Sequence, residues 1–211
     1  MNYGELRDYS LQLINQYSIA GDLYKASYNN QQDYILRIPA LVNDALIYIA
    51  SAIRKLPAQA ILSRSDGEVW GRYVRHKLPE DYMQLHGGGM LLLNADPSGR
   101  RALNEYVLQE PDYILLPDWV KGDVVFEYYR TPALVSLKPS DEDKIDATLE
   151  AQMAIAYYVA AHLVMYDDAS MYTTLYNEFE NKAARLARPV TTEISRVYDA
   201  YGYEGVGDAY G

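Results

Sequence analysis

The sequence contains no cysteine among its 211 residues. Disulfide bonds, thiolate zinc sites and a thiol nucleophile are therefore excluded. It also lacks a hydrophobic run long enough to cross a bilayer. The longest such stretch, residues 151–166, is interrupted by Gln152 and His162 and is shorter than the ~20 residues that a span requires. We expect it to form a buried helix in a soluble protein.

Phenylalanine and tryptophan are scarce, with two of each, whereas tyrosine occurs 22 times. A tyrosine ring packs like phenylalanine but brings a hydroxyl group that needs a partner or water. We therefore expect many tyrosine rings at half-exposed surfaces, which are typical of protein–protein interfaces. Compositional drift, with the rings spread over ordinary surface, is the alternative interpretation.

The composition is that of a folded protein, with 49% hydrophobic and 23% charged residues. The chain is long enough for one large domain or two small ones. Its net charge of −10 counts against a conventional nucleic-acid-binding protein, because lysine and arginine contacts to phosphates dominate that affinity.

Hydrophobic spacing predicts helices in residues 1–57. Residues 5–17 place leucine and tyrosine on one face, and a seven-residue repeat follows. Pro39 predicts a kink or a helix start, and Pro57 predicts the end of the segment. The members of this two-sided seam are Ile35, Ile38, Val42, Ala45, Ile49, Ala52 and Leu56.

Between residues 58 and 132, short strand-like runs alternate with glycine and proline, which is typical of a small antiparallel sandwich or barrel. Asp66-Gly67 predicts a tight hairpin turn, because Asp-Gly supplies the positive φ of such a turn, and Lys121-Gly122 predicts another. The first turn would join 60–65 to 68–70, and the second would join 118–120 to 123–129. Further strands are predicted at 72–77, 82–86, 90–93, 106–109, 113–116 and 123–130.

Helical spacing returns after Pro132. Ser140, followed by three acids, predicts a helix N-terminus, and two antiparallel helices follow to about residue 188. The expected class is therefore α+β: a helical bundle from N- and C-terminal helix pairs, residues 1–57 and 133–188, with an inserted antiparallel β region at 58–132. The two C-terminal stripes are Leu149, Met153, Ala156, Ala160, Leu163 and Tyr172, Leu175, Phe179, Leu186.

Residues 189–211 are predicted to form an extended C-terminal tail. Acids outnumber cations there, aliphatic residues are few, and the segment alone cannot bury enough surface to offset its ordering entropy. It is either an unstructured end or a segment that becomes ordered on a partner, with tyrosines as anchors. The candidate anchors are Tyr198, Tyr201, Tyr203 and Tyr210.

The sequence shows no catalytic or metal constellation. His76, His86 and His162 lie in three separate segments, so the fold would have to assemble any metal site. Residues 86–89, His-Gly-Gly-Gly, resemble an oxyanion-hole motif, but a glycine-rich bend between two strands explains them better because no nucleophile elbow is present. Residues 141–146 resemble a calcium loop without its turn glycine, and helix capping explains them better.

Arg72, Arg75 and Lys77 make one basic strand in an acidic protein. Contact with phosphates, or with an acidic neighbour, is the functional interpretation. An edge strand protected by charge is the structural interpretation.

Three segments resemble tailed-phage head-to-tail adaptors, also called connector or packaged-DNA stabilisation proteins. They are RIPALVNDA at 37–45, YYVAAHLVMYDD at 157–168 and YNEFE at 176–180. The resemblance covers most of the chain in the order of its elements, and its motifs are structural.

This resemblance implies a structural virion protein without enzymatic activity or cofactor. It would form a homo-oligomeric ring, usually dodecameric, below the portal at the capsid–tail junction, after assembly in the host cytoplasm and without membrane contact. The ring would extend the channel, help to retain packaged double-stranded DNA without sequence-specific binding, and dock the tail or nozzle protein. Portal contact would fall on the four tail tyrosines, and contact with DNA or a neighbour on Arg72, Arg75 and Lys77.

Two alternatives remain open. One is another helix–β–helix assembly module, such as a tail-completion or scaffold protein. The other is a hydrolase whose carboxylate acid/base residues converge only in the fold.

Overall fold

The computed structural model describes residues 1–14, 28–93, 100–109 and 111–187. This part of the chain is α+β, with four α-helices and two antiparallel four-stranded sheets. The helices are α1 (Tyr3–Leu13), α2 (Tyr28–Tyr48), α3 (Leu149–Val164) and α4 (Ala169–Leu186), and a π-helical turn (Ile49–Ile53) continues α2.

Local caps explain where three of the helices begin. At α1, the Glu5 backbone N–H donates to Asn2 Oδ1 at 2.8 Å and the Asn2 N–H donates to Glu5 Oε2 at 3.0 Å, which is a capping box. The side chains of Thr148 and Asp168 accept backbone hydrogen bonds at the starts of α3 and α4.

The helix α2 runs through Pro39, so the expected helix start at that residue is wrong. The neighbouring Ile38 and Val42 are fully buried, and tertiary packing of this kind outweighs the cost of one proline. By length and composition alone, residues 32–53 are apolar enough to cross a membrane, so the expectation that no stretch is long enough is wrong. The buried face of α2 packs against α3, as the core helix of a globular protein does.

A first hydrophobic cluster joins all four helices. It includes Ile38, Val42, Ala45 and Ile49 of the expected seam. Ala52, however, is exposed, and Leu56 belongs to a strand, so the expected seam is wrong at its C-terminal end.

The helix α3 packs against α1, α2 and α4, so it is buried around most of its circumference. The stripe expected along it is wrong at its start, because Leu149 and Met153 are exposed.

The predicted helix start at Ser140 is also wrong, because α3 begins only at Leu149. The backbone carbonyls of Asp143 and Asp141 accept hydrogen bonds from the N–H groups of Tyr3 and Gly4 at 2.8 and 2.9 Å. The acidic segment therefore supports the start of α1 rather than its own helix.

The two sheets share none of their strands. The first has the order β1 (Leu56–Leu62), β8 (Val124–Arg130), β4 (Tyr82–Leu93), β5 (Arg100–Leu103), and the second has the order β2 (Glu68–Trp70), β3 (Tyr73–Lys77), β7 (Tyr113–Pro117), β6 (Val107–Gln109). Both contribute to a second hydrophobic cluster, centred on Ile114, Val124 and Phe126.

Both expected hairpins are wrong. The strand β1 pairs with β8 and not with β2, and Gly67 has an ordinary negative φ of −94°. The tight turn lies instead between β2 and β3, where Gly71 has a φ of 60°. Lys121-Gly122 connects β7 to β8, which lie in different sheets.

The glycine-rich bend expected between two strands lies within one strand. Backbone pairing of β4 with β8 shifts register between Leu85 and Met90, which is typical of a β-bulge. The strand β5 was not predicted from the sequence.

Candidate interaction surfaces

The basic strand lies inside its sheet. Because β3 pairs with both β2 and β7, the interpretation as a charged edge strand is wrong. Arg75 and Lys77 alternate with the buried His76, so they point to the opposite face of the sheet. Arg72 precedes the strand.

Each of these three cations already has a local partner. Arg75 forms an ion pair with Glu68, and its guanidinium lies 4.8 Å from the Trp70 ring centroid and 4.4 Å from that of Tyr113. Lys77 lies 3.9 Å from Glu80 in the next loop. This face is therefore a preorganised aromatic and cationic surface, and its contact with DNA or a neighbouring subunit stays a prediction.

Arg72 belongs to the same surface. Its guanidinium lies 5.5 Å from the Tyr73 ring centroid, which is within the range of a cation–π contact.

His76 points into the sheet core and is only 4% exposed. Burial lowers the pKa of its imidazole, although the Asp66 carboxylate acts in the opposite direction. The neutral ring is thus favoured, as in a packed core residue.

The three histidines lie on different parts of the fold, and no group of three potential metal ligands occurs among the described residues.

His86 lines an open, mostly apolar cleft on the outer face of the first sheet. Its Nδ1 lies 3.6 Å from Glu127 Oε2, and Gln59 Nε2 donates to Glu127 Oε1 at 3.0 Å. A hydrolase of the kind considered above needs two cooperating carboxyl groups. Glu127 supplies one, and the other described residues that line the cleft are Pro57, Ala58, Gln59 and His86.

The acidic segment 141–146 uses its carboxylates in ion pairs. Asp141 Oδ1 lies 2.6 Å from Arg7 Nη1, and Asp146 binds Arg130 through two contacts of 2.5 and 2.9 Å. The Arg130 guanidinium lowers the pKa of Asp146, and a hydrogen bond from the backbone N–H of Ala133 adds to this. These carboxylates thus tie elements of the chain together.

A tyrosine cluster between α2, α3 and α4 is the surface that sequence reasoning missed. The ring centroids of Tyr158, Tyr176 and Tyr48 lie 5.2, 5.6 and 6.0 Å from that of Phe179. Tyr48 remains 46% exposed, and Tyr158 and Tyr176 are half-buried.

The imidazole of His162 continues this cluster. Its ring stacks on Tyr158 at 4.0 Å, and it makes edge contacts with Tyr172 and Tyr176, both at 5.9 Å. The spacing of four residues in the pairs Tyr158–His162 and Tyr172–Tyr176 was the available sequence signal.

The electrostatics of the tyrosine cluster are acidic. Burial raises the pKa of Tyr158 and of Tyr176, and the nearby carboxylates of Asp44 and Glu180 act in the same direction. The cluster therefore offers ring faces and carboxylates together, which is the combination that binds an incoming cationic side chain.

The four tail tyrosines lie outside the described residues, as does the whole segment 189–211. Their assignment as portal contacts stays a prediction. No family model matches the chain, and a search of curated proteins found no match.

Proposed function

We propose that this chain is a head-to-tail adaptor of a tailed bacteriophage, a structural virion protein without enzymatic activity. It forms an oligomeric ring below the portal, extends the DNA channel, helps to retain packaged DNA and docks the tail or nozzle protein. The observation that carries the proposal is the half-exposed tyrosine cluster centred on Phe179. Tyrosine-rich, partly desolvated surfaces are typical of assembly interfaces.

The domain organisation belongs to the same proposal. A helical domain of residues 1–57 and 133–188 carries an inserted β domain of residues 58–132 and an extended tail of residues 189–211. Separate hydrophobic clusters in the helices and in the sheets support this division. The chain returns to the helical side at Val135, whose backbone exchanges hydrogen bonds of 2.8 and 2.9 Å with the Asn43 side chain.

The charge of the chain supports a conduit more than a DNA-binding protein. A net charge of −10, repeated around a ring, repels the duplex and lowers its friction during packaging and ejection. Weak, sequence-independent contact is consistent with the local pairing of Arg75 and Lys77.

Deletion of residues 190–211 tests the proposal. We expect the shortened chain to keep its helical circular dichroism but to lose binding to the portal complex of the same phage, because the tail tyrosines are the proposed anchors. Pull-down with purified portal and electron microscopy of the mixture are the measurements.

A matched pair of full-length variants distinguishes the contribution of the tyrosine rings from that of the remainder of the tail. Substitution of Tyr198, Tyr201, Tyr203 and Tyr210 by alanine should abolish docking, whereas substitution by phenylalanine should preserve much of it. Undiminished portal binding by the deletion variant would refute the role of the tail. A stable oligomer that does not bind the portal would favour the tail-completion or scaffold alternative.

A further inference from the structure

One side of α4 carries an acidic tyrosine surface, formed by Asp44, Tyr48, Tyr158, Tyr176 and Glu180. Tyr48 lies one helical turn after Asp44 on α2, and Glu180 lies one helical turn after Tyr176 on α4, so each carboxylate neighbours a tyrosine ring. Within the described ranges, neither carboxylate forms an ion pair. This surface therefore presents two carboxylates that have no ion-pair partner among the described residues, beside partly exposed tyrosine rings.

A basic cleft of about 310 Å³ lies between α3 and α4, formed by Glu150, Met153, Lys182, Arg185 and Leu186. Among the described residues that line it, two cations outnumber one carboxylate, and neither cation has an ion-pair partner in the described part of the chain. Lys182 Nζ lies 4.7 Å from the Tyr157 ring centroid, which holds the ammonium at the surface. Met153, which is 38% exposed, adds apolar surface to the cleft.

The two surfaces lie on opposite sides of α4. At 3.6 residues per turn, Tyr176 and Glu180 project away from the side that carries Lys182 and Arg185. The buried face of the helix, which includes Phe179 and Ala183, separates them. One copy therefore cannot bring its own two surfaces together, but two copies can.

We propose that the basic cleft of one copy binds the acidic tyrosine surface of a second copy of this chain. Lys182 and Arg185 meet the carboxylates of Asp44 and Glu180 and the tyrosine rings, while Met153 covers apolar ring area. A contact between two different surfaces is heterologous, and its repetition gives a ring or a filament. The inference rests on the proposed function in that it names the subunit contact of the ring.

Cross-linking tests the contact without any portal. Because the chain has no cysteine, each introduced thiol is unique. Thr173→Cys lies one turn from Tyr176 at the acidic tyrosine surface, and Leu149→Cys lies one turn from Met153 at the basic cleft. Both replaced residues are exposed and uncharged. Ser65→Cys, exposed in the sheet region, is the matched control.

We expect a short bismaleimide reagent to give cross-linked dimers in a mixture of the Thr173→Cys and Leu149→Cys chains. Either variant alone, or either mixed with Ser65→Cys, should give only background. Equal dimer yield from one variant alone would indicate a two-fold contact and overturn the proposal. Background yield in the mixture would overturn it as well.

Charge reversal tests which side chains hold the contact. Lys182→Glu with Arg185→Glu, placed in the Leu149→Cys chain, should lower the dimer yield about tenfold, equivalent to ~1.4 kcal/mol. Asp44→Lys with Glu180→Lys in the Thr173→Cys partner should restore it. A dimer yield that changes with neither charge reversal would reject the proposed pairing.

The C-terminal segment is the competing occupant of the basic cleft. A chain carrying both Leu149→Cys and Tyr203→Cys tests it: efficient cross-linking within one chain would assign the cleft to that segment and overturn the proposal. Two further outcomes separate the contact from the proposed function. Mixed dimers without ring formation on the portal would retain this contact and reject the proposed function. Rings on the portal without mixed dimers would retain the proposed function and reject this contact.

Discussion

Gly67 lies directly against two side chains of the neighbouring strand β3. A Cβ atom at this position would meet a methyl group of Val74 and would lie 2.7 Å from Cε1 of His76. Since the backbone of Gly67 has an ordinary negative φ, the position needs glycine for space and not for backbone freedom. Gly71 is the reverse case, with a φ of 60° and open space around it.

Gly67→Ala should therefore destabilise the protein by about 1–3 kcal/mol, because the added methyl group displaces the buried His76 ring or the strand that carries it. Urea unfolding at neutral pH measures the difference. Gly71→Asn is the control, since asparagine tolerates positive φ and nothing lies within reach of its Cβ. If Gly67→Ala unfolds like the parent chain, the close approach between Gly67 and His76 is wrong.

At the scale of elements, most strand positions could be predicted from the sequence but their partners could not. The short strand-like runs at 72–77, 113–116 and 123–130 predicted strands correctly within a residue or two. The pairing of β1 with β8 joins residues more than 60 positions apart, and no local turn signal carries that information.

The hairpin turn predicted at Asp66-Gly67 was wrong for a related reason. Its residues match a hairpin turn, but the long-range pairing of β1 overrode the local preference.

The tyrosine cluster was only half accessible to sequence reasoning. The excess of tyrosine over phenylalanine predicted half-exposed rings, and Tyr48, Tyr158 and Tyr176 are such residues. Their meeting around Phe179 depends on the packing of α2 and α4 against α3, which is a tertiary property.

The Arg130–Asp146 ion pair ties the end of β8 to the segment before α3. Asp146→Asn should lower the free energy of unfolding by about 1–2 kcal/mol at neutral pH, because the bidentate charged contact is lost. The pKa of Asp146 is lowered by Arg130 in the folded state. Its contribution is therefore complete above the unfolded pKa of 3.8 and is lost as the pH falls through the folded pKa.

Unfolding of both chains at neutral and acidic pH checks this, and the difference between them should shrink below about pH 4. Asp141→Asn is the matched control. It removes the pairing of an exposed carboxylate with Arg7, where exposed pairs are worth about 0–1 kcal/mol. A difference for Asp146→Asn that persists undiminished in acid would contradict the charge-based explanation.

At the scale of the whole molecule, the helices and the sheets carry different spectroscopic signals. The chain has two tryptophans, Trp70 in β2 and Trp119 just after β7, both about half exposed. Tryptophan fluorescence thus reports on the sheets, while the helical signal in circular dichroism reports on the four helices. The proposed division into a helical domain and an inserted β domain can be tested by following the two signals separately.

Val42→Asp should abolish the helical signal and leave the tryptophan emission close to that of the parent chain. Val42 is fully buried in the cluster that joins the four helices, and it has no part in the cluster between the sheets. A carboxylate there is buried without a partner, which costs about 4 kcal/mol or more. Leu36→Asp, on the same helix but 77% exposed, should leave both signals unchanged.

If Val42→Asp removes both signals together, the helices and sheets fold as one cooperative unit, and residues 58–132 are not an independent domain. If it removes neither, the seam through Val42 does not hold the helices together.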